Sequence, residues 1–309
     1  MSFVLEEHKS LEKMNTWKLP GTARYYAAPR TEAEVCEVVR FANEHDLPLM
    51  TMGNGSNVFV DEEWFPGIVV HLNKHLKSIT VDEERGEVFV YAGMALPALA
   101  TNMAARGVEG FEFFAGIPGT VGGAVAMNAG CIGKETKGIL RTVTYVNENG
   151  EIIHAPGEKT DMNFRTSMFL HRSVVILGGC FQYKYAEDPE AVRGKTKEAM
   201  EIRRRKFPKG VATVGSTFKS PPSGPFPGKL IEEAGLKGYE NNHAKISDKH
   251  GNWVINTGGA SAKSMSELME LMHASVLKAY GVNLEPEVVW MSGYRSGCSE
   301  DSPPKGEKE

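Results

Sequence analysis

The chain has 309 residues, 41% hydrophobic and 24% charged, with 35 basic and 39 acidic residues and a formal net charge of −4. That length exceeds one ordinary core and predicts two or three packed units; the charge balance excludes a broad positive field for nucleic acid. Cys36, Cys131, Cys180 and Cys298 lack metal-type spacing and are too sparse for a disulfide scaffold. Charges interrupt each apolar run before it reaches membrane-spanning length, and the first residues carry no signal-peptide pattern. The expectation is a cytoplasmic protein with reduced thiols and no metal.

In chain order, residues 25–28 read as a strand. Thr31 and Glu34 form a capping box ahead of apolar positions Val35, Val38, Val39 and Ala42. A strand at 47–50 completes a β-α-β start. Directly behind it stand Gly53, Asn54, Gly55, Ser56, Asn57 and Val58. The glycines permit backbone angles closed to other residues, and the polar side chains supply short hydrogen-bonding groups. A pyrophosphate held on main-chain amides fits this composition, and so does a polar turn. It is not a dinucleotide fingerprint, because 58–60 reads as strand, and it is not a Walker loop, because no Gly-Lys-Ser/Thr follows.

Further strands are expected at 68–72, 79–82 and 87–91, with a hairpin turn at 83–86, and a helix at 96–105. The glycine-rich stretch 107–130 comes next and is the centre of the chain. Within it Gly116, Ile117, Pro118, Gly119, Thr120, Gly122, Gly123 and Ala124 suit a sharp turn offering successive amides as an anion nest, with a short helix at 121–127 behind it. A tightly packed turn fits the composition equally. Strands at 140–146 and 151–154 flank an Asn-Gly turn, and 174–181 is an apolar run. The polar helix 190–205 reads as a boundary between units. Its closing run Arg203-Arg204-Arg205-Lys206 either faces solvent at a helix end that favours cations or docks a phosphorylated ligand.

Residues 208–228 form a second irregular region, followed by a short helix at 230–234 ended by Gly235. Strands are expected at 245–247 and 253–256. A long helix starts at Ser264, its apolar face marked by Leu268, Met269, Leu271, Met272, Val276 and Leu277. A last strand region at 282–289 precedes a polar tail at 299–309, expected to be mobile. The whole reads as α+β with mixed sheets.

Six motifs follow one another: GNGSNV at 53–58, GIPGTVGGAVAMNAG at 116–130, FRTS at 164–167, GSTFKSP at 215–221, KLIEEAGLKG at 229–238 and LEPEV at 284–288. Together they resemble the bacterial UDP-N-acetylenolpyruvoylglucosamine reductase (MurB) family, in its shorter type II branch. The resemblance implies a vanillyl-alcohol-oxidase/PCMH-type FAD-binding module in two subdomains, 1–75 and 76–189. A smaller α+β C-terminal substrate domain at 190–300 and a flexible tail at 301–309 complete the division. It also implies that the flavin pyrophosphate lies against the first two motifs. NADPH then reduces the FAD, and hydride passes to the enolpyruvyl sugar nucleotide, giving UDP-N-acetylmuramate for peptidoglycan.

By the same resemblance Arg165 binds the substrate carboxylate, Ser216 supplies the proton and Glu287 stabilises the enolate-like species. A guanidinium fork suits a planar carboxylate, and a glutamate helps there when protonated or offset by the arginine. Glu285, two positions away, stays open as a partner or as the acting carboxylate. Asn128, Lys206, Lys219 and Glu285 are candidate substrate contacts, with Arg205 near them. Cys131 lies beside the glycine-rich stretch without an expected covalent flavin link. Departures from the family pattern are Phe164, Phe207, Asn242-His243 and Val289-Trp290. Two other readings are a flavoprotein of this fold acting on another sugar nucleotide or hydroxy acid, and a flavin-binding protein without turnover. No apolar face demands a partner, so a monomer is expected.

Overall fold

The structure, a computed structural model, describes residues 3–206, 210–221 and 224–294. The first unit contains β1 (Leu5–Ser10), β2 (Thr22–Ala27), α1 (Glu32–Glu44), β3 (Leu49–Met52), β4 (Val58–Phe59) and β5 (Trp64–His71). β1 pairs antiparallel with β2, while β2, β5 and β3 run parallel, giving the order β1-β2-β5-β3. Thr31 Oγ1 caps α1 by accepting from Glu34 N at 3.2 Å. The Glu34 carboxylate answers Arg30 N at 2.7 Å, not Thr31 N, so the expected box is displaced by one residue. β3 starts two residues later than expected because the Leu47 amide still closes the helix end on Ala42 O at 2.8 Å.

The second unit runs through β6 (Ile79–Asp82), β7 (Glu87–Tyr91), α2 (Leu96–Ala105), β8 (Val108–Glu109), α3 (Val121–Met127), β9 (Gly130–Cys131), β10 (Lys134–Glu135), β11 (Leu140–Val146), β12 (Ile152–Pro156), β13 (Val175–Gln182), β14 (Lys184–Tyr185) and α4 (Pro189–Lys206). Its sheet is antiparallel in the order β12-β11-β13-β7-β6. α4 was expected to mark a boundary between units. Instead it packs on α2 and on the 3-10 turn Glu112–Gly116, burying Val192, Thr196 and Ala199. Those small and β-branched positions give an otherwise charged helix an inward stripe, and Ala199 shares a core with Phe113 and Phe114.

The remaining elements are α5 (Pro227–Glu233), β15 (Glu240–Asn241), β16 (Ala244–Ile246), β17 (Val254–Asn256), α6 (Ala262–Tyr280) and β18 (Val289–Trp290). Ser264 is not the start of the long helix. It sits one turn inside, exchanging bonds of 3.0 Å with the N-cap Ser261 in a serine–serine capping box. Met265, Leu268, Met269, Met272 and Val276 carry the buried face, whereas Leu277 is 44% exposed because the apolar stripe has rotated past it. The expected strand at 282–289 shrinks to β18. Before it, Pro286 makes only an isolated bridge with Phe218, flanked by the bonds from Glu287 N to Thr217 O and from Lys219 N to Glu285 O.

The second core joins the two ends of the chain. Trp17, Phe59 and Phe65 pack with Leu230, Val254 and Met272. Trp17 Nε1 donates to Val254 O at 2.8 Å, and Asn256 Nδ2 donates to Trp17 O at 2.9 Å. β18 pairs in parallel with β4, and Trp290 packs edge-on against Phe59 at 4.5 Å. The Asn242-His243 departure forms a two-residue hairpin turn with φ of 46° and 66°, the left-handed pair that joins β15 to β16.

Candidate functional site

The two glycine-rich turns are one place in the fold. A Cβ on Gly53 would stand 2.4 Å from Thr120 Oγ1, so the turn after β3 rests directly on the start of α3. Asn54 Nδ2 donates to Pro118 O at 2.9 Å, and Asn54 Oδ1 accepts from Asn73 Nδ2 at 3.1 Å. Gly55 has φ +58°, and a Cβ there would lie 2.0 Å from Met14 O, a clash no side chain escapes. Asn57 Nδ2 donates to Glu287 O at 2.9 Å, tying this turn to the C-terminal unit.

The second turn is built differently from the expected nest of amides. Gly116, Gly119, Gly122 and Gly123 all keep negative φ. The amides of Ile117, Val121 and Gly122 donate to Phe114, Met94 and Ala92 carbonyls at 3.1, 2.9 and 2.9 Å. Close packing uses up these donors, since a Cβ on Gly122 would meet Ala92 Cβ at 2.9 Å. Among the described residues the Gly119 and Thr120 amides have no acceptor. Arg203 Nη1 holds the loop from outside, donating to Gly116 O at 3.0 Å, while Arg204 and Arg205 are exposed. Cys131 Sγ lies 3.2 Å from the position a Gly116 Cβ would take.

A cleft opens along this junction. Gly53, Asn73, Gly93 and Thr120 give it a polar end, and Leu72, Ala126, Phe169, Val174 and Ile176 give it apolar walls. Gly53 stands where a Cβ would push the two turns apart, Gly122 where one would strike Ala92, and a Cβ on Gly93 would meet Leu72 O at 2.4 Å. Glycines at the turns and apolar side chains beside them match the chemistry of a ligand with a flat apolar part and a charged middle. Asn73, Phe169, Arg172 and Tyr294 were missed in the sequence; they lie on single side chains outside any glycine-rich run.

The charged half of the site starts at a tight turn. Asn163 and Thr166 exchange backbone bonds of 3.1 and 3.3 Å, and Arg165 between them has φ +57°. That conformation costs a non-glycine residue about 1–3 kcal/mol, which surrounding contacts must offset. Arg165 Nη2 donates to Gly130 O at 3.2 Å, and Nε stands 3.1 Å from Glu287 Oε1. The latter contact is an ion pair; the Nε–H is not aimed at the oxygen and stays a buried donor without an aligned acceptor. The Phe164 ring packs beneath the guanidinium at 5.3 Å, so the missing hydroxyl at this departure leaves the cation–π contact in place.

Glu287 is 18% exposed and Glu285 67%. Burial pushes the Glu287 carboxyl above its usual range, and the charges of Arg165 and Lys219 pull part of the way back. Glu287 N donates to Thr217 O and Lys219 N to Glu285 O, both at 2.8 Å, around the Phe218–Pro286 bridge. Glu285 pairs with the Lys219 ammonium. Among the described residues the Ser216 hydroxyl makes no hydrogen bond, and the buried Thr217 Oγ1 has no partner. Arg165, Glu287, Lys219 and Glu285 are thus linked by direct contacts, with Ser216 one residue from the strand that carries them.

One expected contact is turned inward. Asn128 is fully buried and its amide is spent on Glu135, Asn163 and Lys137, leaving nothing for a substrate. The side chain of Lys206, together with Phe207, Cys298 and the tail at 299–309, lies outside the described residues.

A glycine-lined cleft, joined through the Asn57–Glu287 bond to a partly buried arginine–carboxylate pair, suits a flavin-dependent oxidoreductase. Residues 23–156 match the FAD binding domain family and residues 207–291 the UDP-N-acetylenolpyruvoylglucosamine reductase C-terminal domain family. The α+β fold is accordingly of the FAD-binding, PCMH type. The chain belongs to the UDP-N-acetylenolpyruvoylglucosamine reductase family. It is 34% identical over 304 residues to that reductase of Heliobacterium modesticaldum, covering 97% of this chain and 96% of the relative. Against the reductase of Rubrobacter xylanophilus the identity is 37% over 280 residues, covering 90% and 92%. The crystal structure of UDP-N-acetylenolpyruvylglucosamine reductase (MurB) from Thermus caldophilus superposes with a TM-score of 0.78 at 30% identity, covering 93% of this chain and 99% of that one. Among the described residues no helix is long and apolar enough to cross a membrane.

Proposed function

We propose that this protein reduces UDP-N-acetyl-enolpyruvoylglucosamine to UDP-N-acetylmuramate with bound FAD, and that NADPH is the reductant. Family membership supports this reading, and one observation carries it to particular residues. Arg165 on the FAD-binding module meets Glu287 on the C-terminal unit in a partly buried ion pair, beside the flavin turns. FAD supplies the hydride chemistry when bound in the cleft between 53–58 and 116–124.

The chain's own residues answer the rest of the reaction. Hydride addition to a double bond conjugated with a carboxylate builds negative charge on the carboxylate side. Arg165 stands ready with a buried Nε–H that has no aligned protein acceptor. Burial raises the Glu287 carboxyl, and Arg165 beside it offsets the repulsion between its ionised form and that charge. Ser216, free of protein partners among the described residues, gives its proton to the adjacent carbon. Lys219 faces the sugar nucleotide with its charge shared between Glu285 and the substrate.

We assign the flavin subdomains to 1–75 and 76–189 with α4 packed against the second, and substrate closure to the C-terminal unit extending to 300. The protein is read as a cytoplasmic monomer. The reaction is tested by anaerobic titration: NADPH should bleach the yellow protein, and the enolpyruvyl sugar nucleotide should restore the colour in a single turnover. Bleaching without recovery would move the assignment to another substrate of the same fold.

A further inference from the structure

We infer that Asn128 is a positioning residue for Arg165, and that α3 sets the distance between the flavin turns and the guanidinium. The inference rests on the functional reading above. Asn128 caps α3 with φ 42° and ψ 53°, a left-handed conformation that suits asparagine or glycine. Its Nδ2 donates to Asn163 O at 3.0 Å and to Glu135 Oε2 at 3.2 Å, and its Oδ1 accepts from Lys137 N at 3.0 Å.

Two of these bonds bear on Arg165. Asn163 closes the turn from which Arg165 projects. Glu135 belongs to the β9–β10 hairpin, paired with Gly130, whose carbonyl receives Arg165 Nη2. The base of the arginine turn and the strand on which its guanidinium lands are therefore fastened to one amide. A second tether lies on the far side of the turn, where Ser167 Oγ donates to Ala126 O at 2.7 Å. The opposite end of α3 carries Thr120, which touches the Gly53 position. One rigid helical segment thus has the flavin turn at its start and the arginine turn at its end. Arg165 cannot hold its pose by its own preferences, since its φ is +57°.

The decisive variant is Asn128→Gly, which keeps the left-handed cap and deletes all three tethers. In the holoenzyme, NADPH-driven flavin reduction should stay within about twofold, and single-turnover reoxidation by the enolpyruvyl sugar nucleotide should slow about 10–100-fold, as for a misplaced catalytic group. Introduced into Arg165→Ala, the same change should cost less than about twofold, because both substitutions remove one function. Deuterium uptake should rise in 161–168 and stay unchanged in 53–58 and 116–124. Ser167→Ala, cutting the second tether, should repeat the pattern with a smaller loss and serves if Asn128→Gly does not fold. Equal slowing in both arginine backgrounds, or flavin loss in step with the rate, would overturn the inference. A wild-type enzyme that the enolpyruvyl substrate cannot reoxidise would instead overturn the functional reading, and deuterium uptake would then decide the tether alone.

Discussion

The two halves of the site hold their shape by different means. The flavin turns are fixed by the absence of atoms: Gly53, Gly55 and Gly122 sit where a Cβ would strike Thr120, Met14 and Ala92. The substrate half is fixed by charge and by hydrogen bonds among Arg165, Gly130, Glu287 and Lys219, drawn from three separate segments of the chain. Steric exclusion tolerates no substitution and needs no partner to be charged. The charged half can lose a group and still fold, and it responds to pH. Damage in the first half should therefore appear as lost cofactor or stability, and damage in the second as lost chemistry in one half-reaction.

Ser216→Ala gives the largest expected separation. Removing the proton donor should slow substrate-driven reoxidation about 10²–10⁴-fold while NADPH reduction stays near wild type, as read by anaerobic stopped flow. Equal loss in both steps would erase the distinction. Gly55→Ala tests the steric half: a Cβ 2.0 Å from a carbonyl at φ +58° should destabilise the protein by about 2–4 kcal/mol and reduce its flavin content. Urea unfolding and the flavin-to-protein absorbance ratio measure both, and an unchanged midpoint would break the packing argument.

Glu287 provides a pH test of the charged half. Burial raises its folded carboxyl pKa, so the native state holds a proton that the unfolded chain has released. Its contribution to stability and to reoxidation is present at low pH and lost as pH rises through the raised value. Glu287→Gln, neutral throughout, should flatten that fall, and a profile that keeps it would reassign the ionisation. His71 gives a smaller effect of opposite sign on the steric half. Burial first, then the Lys74 charge, lowers its pKa to about 4, and its Nδ1 lies 2.9 Å from Tyr26 Oη. Between the ordinary imidazole value and that one, the unfolded chain binds a proton that the native protein does not. Stability should fall as pH drops through this window by about 1–2 kcal/mol, and His71→Phe should reduce the slope in urea titrations.

The same contrast explains what was legible in the sequence. α2, α3, β6, β7 and β11 lie where periodicity and turn residues placed them, because local pattern alone decides them. The glycine turns were visible as composition; packing consumes the Ile117, Val121 and Gly122 amides and leaves those of Gly119 and Thr120. Charge content misled at α4, where three buried positions outweigh a polar surface. At 282–289 the alternation of apolar and polar residues suggested a strand, but only an isolated bridge at Pro286 and the short β18 form. Arg165, Ser216 and Glu287 were found through the family motifs alone; nothing local marks an arginine whose partner lies 122 positions away in the chain. Asn128 was visible as a motif residue, but its burial and its three tethers belong to the tertiary structure.

Arg165→Ala in a single anaerobic experiment tests the division most directly, with flavin absorbance followed first under NADPH and then under the enolpyruvyl sugar nucleotide. Reduction within about twofold of wild type and reoxidation slowed by at least about 100-fold is the predicted result. Parallel loss of both phases, or full reoxidation at the wild-type rate, would contradict it.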